Sequence, residues 1–352
     1  MSPSIFLTGG TGYIGGSVLD ALTKAHPEYS LTVLLRNVPP TFKERYPDVR
    51  IVEGNFDNTE LIASTAADSD IVIHNGNSKH EGSLRAHITG LLRNATAASP
   101  RYLIRLGGTS SIADWADPAY YGETNPQVWS DVADLDDLKS LPDTALHRNM
   151  EKIIEQAAAE HGDRLKCAII CSCGVYGEGR GPGNTQSGLI PMYWAQIQKK
   201  GREGRAFYAN SGGNTRSWVH IDDLTQVYLK LVEAAAAGGG NASWGREGYY
   251  FTASQEWSQL ELAKATGKIL KQHNIIDNEE PLKLSIDDIK AMKPGKTTFA
   301  LYGIYVFACN TRTRSDRARN VLGYVPQSGD LWSYLEGDLM AAVRSEGVQG
   351  VH

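Results

Sequence analysis

The sequence predicts an α/β protein: a doubly wound parallel sheet followed by a smaller α+β domain built from late segments. Three observations carry this. The apolar run Ile5-Phe6-Leu7 leads through Thr8-Gly9-Gly10-Thr11-Gly12-Tyr13-Ile14-Gly15 into a helical apolar pattern at Val18, Leu19 and Leu22. Strand-like and helix-like stretches then alternate through the first half, which is the pattern of a parallel sheet covered on both faces. After Val175-Tyr176-Gly177 that alternation gives way to loops and scattered helices.

The opening is read as strand, glycine turn and helix. Gly9 permits the tight turn, Gly12 lets backbone approach a pyrophosphate, and Gly15 lets helix and strand pack closely. Phosphates would then sit on the free N–H groups at the positive end of the helix. Further strands are expected at Leu31–Leu35, Arg50–Glu53, Asp70–His74, Tyr102–Leu106 and Cys167–Cys171. Helices are expected at Thr59–Ala67, Leu84–Ala98 and Arg148–His161. Later, Leu189–Lys199 reads as helix, Trp218 opens a helix that runs to about Ala237, Tyr249–Thr252 reads as a strand, and Trp257–Leu270 as a helix.

The 352 residues can bury a large core. With a net charge of −5 and no basic stripe, a nucleic-acid partner is not expected. No apolar run approaches the roughly 20 residues of a membrane span. The first strand begins at residue four, which leaves no room for a signal peptide, so a cytoplasmic protein is expected. Four cysteines make no disulfide framework, and Cys171-Ser172-Cys173 lacks a second ligand pair, so no metal is expected.

The chain resembles the extended short-chain dehydrogenase/reductase family: nucleotide-sugar epimerases and dehydratases and their reductase relatives. The likeness rests on Thr8–Gly15, Val52-Glu53-Gly54-Asn55, Ile71–Asn77, Ser110-Ser111, Val175-Tyr176-Gly177, Arg216–Leu224 and Leu322-Gly323-Tyr324 with Pro326. It implies an NAD(P)-binding Rossmann-type domain over 1–177 plus about 216–252, and a substrate domain over about 178–215 and 253–352. By the same likeness, Gly9, Thr11, Gly12, Tyr13, Ile14 and Gly15 form the pyrophosphate loop. Asn55 and Phe56 stand beside the adenine, and Asn75, Gly76 and Asn77 along the ribose. Ser172 and Val175 fall in the stretch that meets the nicotinamide amide. Homodimerisation through Leu84–Ala98 and Arg148–His161 is one assembly the resemblance allows.

Arg36 closes the second strand. An acidic side chain there would bind the ribose 2′-hydroxyl, whereas a guanidinium suits a 2′-phosphate, so NADP is expected ahead of NAD.

Family members that move hydride use a Ser or Thr with a Tyr-x-x-x-Lys pair. Ser111 is present, with Ser110 beside it, but His147 stands at the Tyr position and Glu151 at the Lys position, with Lys152 next. A shift of one residue would instead present Arg148 and Lys152. Three readings stay open. His147 or His87 is the proton donor; a tyrosine from another segment enters the site, with Tyr120, Tyr121 and Tyr176 as candidates; or the protein is an NADP-binding sensor without turnover. The first expectation is an NADP-dependent oxidoreductase that transfers a hydride to a small carbonyl or related C=N or C=C substrate. Its pocket would draw on Ser111, Trp115, His147, Tyr176, Trp194 and Trp218. Arg216 matches an arginine that relatives place on nucleotide-sugar phosphates, which keeps an epimerase/dehydratase-like enzyme as the alternative.

Overall fold

The computed structural model describes residues 2–293 and 299–349; Met1 and, from the expected substrate domain, residues 294–298 and 350–352 lie outside the described residues. The first half lays down strands β1 (Ser4–Thr8), β2 (Ser30–Leu35), β3 (Arg50–Glu53), β4 (Ile71–His74), β5 (Arg101–Gly108) and β6 (Leu165–Ser172), and Tyr249–Phe251 returns late as β7. Their order across one sheet is β7-β6-β5-β4-β1-β2-β3, and every neighbouring pair is parallel. Strand order reverses between β1 and β4, so a crevice opens beyond their carboxyl ends.

Helices α1 (Tyr13–Ala25), α2 (Thr59–Ala67), α3 (Glu81–Asn94), α4 (Arg148–His161) and α5 (Ile221–Ala236) cover the sheet. Side chains alternate across a strand, and β1 shows the result. Ile5 and Leu7 pack with Val18 and Leu22 of α1 and Leu231 of α5. Phe6 faces the other layer, with Ile62 of α2, Leu84 and Leu91 of α3, and Ile154 of α4. A third core holds the late segments together around Tyr193, Phe207, Trp218, Phe307 and Leu335.

The helices Thr59–Ala67 and Arg148–His161 fall where periodicity places them. The expected Leu84–Ala98 helix starts and stops earlier, at Glu81 and Asn94, because His80 Nδ1 caps the Ser83 N–H at 3.0 Å. Trp218-Val219-His220 is strand rather than helix. It belongs to Thr215–His220, which pairs with Gly174–Tyr176 and Gln255–Ser258 in a separate three-stranded sheet. The helix opens only at Ile221, where the His220 ring accepts the Asp222 N–H. The helix expected from Trp257 begins at Gln259 behind a Ser258/Glu261 capping box. The long helix Leu331–Gln349 was not expected. Its Leu331, Leu335 and Leu339 are spaced four apart and all fully buried, and they press one face into the third core. No helix is long and apolar enough to cross a membrane among the described residues.

Candidate active site

The glycine turn sits at the point where strand order reverses. Gly9 has φ +80°, and a Cβ there would lie 2.4 Å from the Asn75 carbonyl oxygen, so both its conformation and its contact require glycine. Gly15 lies on the turn's other flank, where a Cβ would meet the Gly9 carbonyl at 2.4 Å. Gly12 is the N-cap of α1 and offers no side chain to the first-turn N–H groups. Those donors are free for an anion.

Beside the turn, the Tyr228 hydroxyl donates to Asn75 Oδ1 at 2.7 Å, which fixes the amide. Asn75 Nδ2 is buried without a partner. The cleft over Gly12–Gly15, Asn75 and Ser172–Val175 has a volume of about 370 Å³. An uncapped helix start, an orphaned amide donor and a close backbone approach are what a dinucleotide needs, and these residues fit one. A loop closes over the turn from the far side. Asn184 N–H donates to the Thr11 carbonyl at 2.9 Å, the Tyr13 hydroxyl donates to the Gly177 carbonyl at 2.6 Å, and Gly181 is pressed on Gly16.

Of the other residues expected at the cofactor, Phe56 lies over Gly76, whose Cβ would fall 2.2 Å from the ring. Asn55 and Asn77 are exposed, and their side-chain oxygens accept the Asp57 and Lys79 N–H groups. Arg36 is exposed just past the end of β2, and its side chain has no hydrogen bond or ion pair among the described residues. Ile14 and Val175 line the cleft, as does Ser172, whose hydroxyl donates to Gly107.

The expected catalytic group does not assemble as one constellation. Ser111 is buried and donates to the Gly108 carbonyl at 3.4 Å, facing inward toward Cys171 and Tyr249. Glu151 is also buried. It accepts from the Tyr249 hydroxyl at 3.2 Å, and burial raises its pKa. Lys152 projects to solvent and pairs with Asp143. Arg148 is buried in a structural role: its guanidinium meets Glu155 at 2.7 and 2.9 Å and Glu151 at 3.4 Å, and binds the Leu141 carbonyl. The shifted register therefore does not face the cleft.

His147 adopts a left-handed conformation, φ 68°, as the N-cap of α4. Burial and the nearby Arg105 push its pKa down to about 4, while a hydrogen bond to the Ser78 backbone opposes them. It is a neutral imidazole near pH 7. His87 is fully buried beside His74, with ring centroids 4.8 Å apart, and neither of its ring nitrogens has a partner. Burial pushes its pKa down to about 3, so it is no donor to the cleft.

A consequence for stability follows. Below pH 6.5 the unfolded His87 binds a proton that the folded one refuses, so its contribution is lost as pH falls. Relative to wild type, His87→Leu is expected to gain stability as pH drops, reaching roughly 3 kcal/mol near pH 4. Urea unfolding across that range checks this; a constant difference would contradict it.

The tyrosines foreseen as substitutes are engaged elsewhere. Tyr176 donates to the Gly329 carbonyl at 2.6 Å and accepts from Gln255, and Tyr121 donates to the Trp115 carbonyl. Tyr120 sits in a short turn and binds through its backbone. Trp115 lines a second cavity of about 240 Å³ with Ser111, Trp129, Pro142 and Asn310. Trp194 and Trp218 are core.

Arg216 does not present its fork to a pocket: Nη2 donates to the Val306 carbonyl at 3.1 Å and to the Tyr305 carbonyl at 3.4 Å. The space around it, among Leu189, Trp218 and Phe307, is only about 20 Å³.

Sequence reasoning missed one residue. Arg105 of β5 is 1% exposed, and its Nε and Nη1 have no partner. A charge inside the run Tyr102–Leu106 was the available signal. No cluster of His, Cys, Asp and Glu able to hold a metal occurs among the described residues.

Residues 9–167 match the NAD(P)H-binding family, and residues 144–244 the NAD dependent epimerase/dehydratase family. "Oxidase ucsJ" of Acremonium sp is 29% identical over 349 residues, 96% of each chain. UDP-glucose 4-epimerase of Azospirillum brasilense is 26% identical, over 70% of this chain and 74% of its own. The structure of dTDP-glucose 4,6-dehydratase from Streptomyces venezuelae, with NAD and TYD bound, superposes with a TM-score of 0.65 at 16% identity, covering 98% of both chains. With an all-parallel sheet, an uncapped glycine turn where its strand order reverses, and family matches running from residue 9 to 244, the chain belongs to the extended short-chain dehydrogenase/reductases, as an NAD(P)-binding enzyme of the epimerase/dehydratase type.

Proposed function

We propose that the chain is an NADP-dependent oxidoreductase acting on a small carbonyl, or a related C=N or C=C compound, rather than on a nucleotide sugar. The observation that carries this is Arg216. A guanidinium that would clamp a diphosphate is instead spent on the carbonyls of the Tyr302–Phe307 helix, and the cavity beside it is about 20 Å³. A nucleoside diphosphate needs several hundred Å³. The cleft over Ser172–Val175 continues past the glycine turn to Gln186–Leu189 and Met192, the side on which a small substrate would enter.

The nicotinamide supplies hydride when bound. This chain's residues bind and orient: the α1 N–H groups take the pyrophosphate, and Asn75, held by Tyr228, offers its amide to the ribose side. Away from the cleft lining, the Ser78 carbonyl accepts from Arg105 Nη2 at 3.4 Å. The named relatives include a dehydratase and an epimerase, which favours the second reading, an epimerase/dehydratase-like reaction. Purified protein offered aldehydes, ketones, imines and enones with NADPH should consume cofactor with at least one. Turnover of a UDP- or dTDP-sugar, with silence on that panel, would favour the second reading.

The preference for NADP rests on Arg36, an exposed guanidinium directly after β2. Arg36→Asp is expected to weaken NADPH binding by about tenfold or more in a fluorescence titration, with NADH affinity preserved or improved. Equal NADPH affinity in variant and wild type would assign the chain to NAD, the cofactor bound in the structures of its relatives.

A further inference from the structure

Asp20 stands midway along α1, the helix that follows the glycine turn, and its side chain is only 2% exposed. A buried carboxylate needs partners, and these come from separate parts of the chain. Lys24, four residues on in the same helix, meets Oδ2 at 2.8 Å. Arg45 closes the short helix Phe42–Arg45 and donates from Nη2 to Oδ1 at 2.8 Å. The Tyr46 hydroxyl donates to the same oxygen at 3.2 Å. Arg180 Nε lies 3.7 Å from Oδ2, and its Nη2 pairs with Asp222 at 2.7 Å.

Arg45 does more than neutralise Asp20. The same Nη2 donates to the Arg180 carbonyl, and Nη1 donates to the Gly181 carbonyl at 3.2 Å. One guanidinium thus ties α1 to the main chain of the Gly177–Asn184 segment, a task that needs the several fixed donors of arginine. The Arg180 N–H adds a bond to Ser17 Oγ of α1 at 3.1 Å. Directly beyond, the chain becomes a wall of the dinucleotide cleft: Asn184, Gln186, Leu189 and Met192 line it together with Gly12–Gly15. The room for a diphosphate therefore depends on how closely the segment lies on α1. Arg45 also has a place to go when it lets go. Its side chain is 41% exposed, and with Lys24 and Tyr46 it borders a cavity of about 280 Å³ where the guanidinium can be hydrated.

We propose that Arg45, anchored on Asp20, is a latch that keeps the Gly177–Asn184 segment closed over the glycine turn and so sets how fast the dinucleotide exchanges. Arg45 lines no part of the cleft; it is a positioning residue that acts through two main-chain carbonyls. With the latch closed, the Asn184 N–H stays on the Thr11 carbonyl and Gly181 stays against Gly16. With it open, those contacts part, the Asn184–Met192 wall draws back, and the diphosphate is released. Loop openings of this kind set the pace of ligand exchange in many enzymes. The inference goes beyond the reading above, because it holds for NADPH or NADH and for either reaction.

Three single variants of the full chain test it. Arg45→Met cuts the tie to the segment but leaves Asp20 its Lys24 and Tyr46 partners, so no buried charge is stranded. Asp20→Asn weakens the anchor. Lys24→Met is the control, since Lys24 shares Asp20 but has no bond to the segment. Dissociation of NADPH, and in parallel of NADH, is followed by stopped-flow fluorescence. The rate should rise about tenfold in Arg45→Met and in Asp20→Asn, the loss of about one charge-assisted hydrogen bond. It should stay within about twofold of wild type in Lys24→Met. The double variant, Arg45→Met with Asp20→Asn, should be no faster than either single one, because both release the same latch. Separately, with no dinucleotide added, trypsin should cut after Arg180 at least about fivefold faster in Arg45→Met than in wild type, as read from fragment masses. Unchanged dissociation in both latch variants, an equal rise in Lys24→Met, additive rises in the double variant, or unchanged cleavage after Arg180 overturns the inference. If the wild type binds neither dinucleotide, the cofactor reading itself falls, and this one with it.

Discussion

Gly15→Ala is expected to remove measurable dinucleotide binding while leaving the protein folded. The added methyl would stand 2.4 Å from the Gly9 carbonyl oxygen and 2.9 Å from its carbon, both backbone atoms that cannot rotate aside. The helix must back away from the turn, and the Tyr13 and Ile14 N–H groups move with it. Overpacking of this kind costs about 1–3 kcal/mol of stability, which a domain of this size survives. Binding suffers more, since a displacement of about 1 Å at an organised site costs on the order of a hundredfold. Gly188→Ala is the control. Gly188 lines the same cleft, but its nearest neighbour to an added Cβ is the flexible Met192 methyl at 3.9 Å. Fluorescence titration with NADPH should show loss in the first variant and retention in the second. Equal affinity in both would mean that the turn does not hold the pyrophosphate.

Arg148→Met is expected to be the most destabilising single change in the Rossmann half, at roughly 3–5 kcal/mol. The guanidinium is 2% exposed and ties the start of α4 to Glu155, Glu151 and the carbonyls of Lys139 and Leu141. Methionine fills the volume but removes the guanidinium that lies 3.4 Å from Glu151, a carboxylate only 1% exposed. An uncompensated interior carboxylate is what makes breaking such a pair costly. The double variant Arg148→Met with Glu151→Gln should recover a large part of the loss, because the stranded charge is gone. Urea denaturation of the three proteins measures it; additive losses would contradict the account.

The sequence made the glycine turn readable because its constraint is local: within fifteen residues, Gly9, Gly12 and Gly15 each answer to a contact across the turn. The helix Arg148–His161 was readable for the same reason, as a 3.6-residue pattern. What that helix presents to the cleft was not. Glu151 stands at the lysine position, but its partners are Tyr249 on β7, almost a hundred residues away, and Arg148. Trp218–His220 read as helix because apolar and charged residues follow it at helical spacing, yet its backbone pairs with Gly174–Tyr176. Asn55 and Asn77, which the likeness sets along the cofactor, turn their side-chain oxygens to the N–H groups of their own turns.

The segment from Gly177 to Asn184 is a surface connection, and such connections ordinarily accept length changes and new side chains. Here the room is missing. A Cβ at Gly179 would strike the Tyr13 ring at 2.8 Å, one at Gly181 the Gly16 Cα at 2.6 Å, and one at Gly183 the Thr11 carbonyl at 2.3 Å. Three alternate positions are therefore as intolerant of substitution as the interior, although Glu178 and Arg180 between them are exposed. The fingerprint at the amino terminus thus has a second, unwritten half some 170 residues downstream, and a family signature drawn from the first fifteen residues alone records only one jaw of the grip.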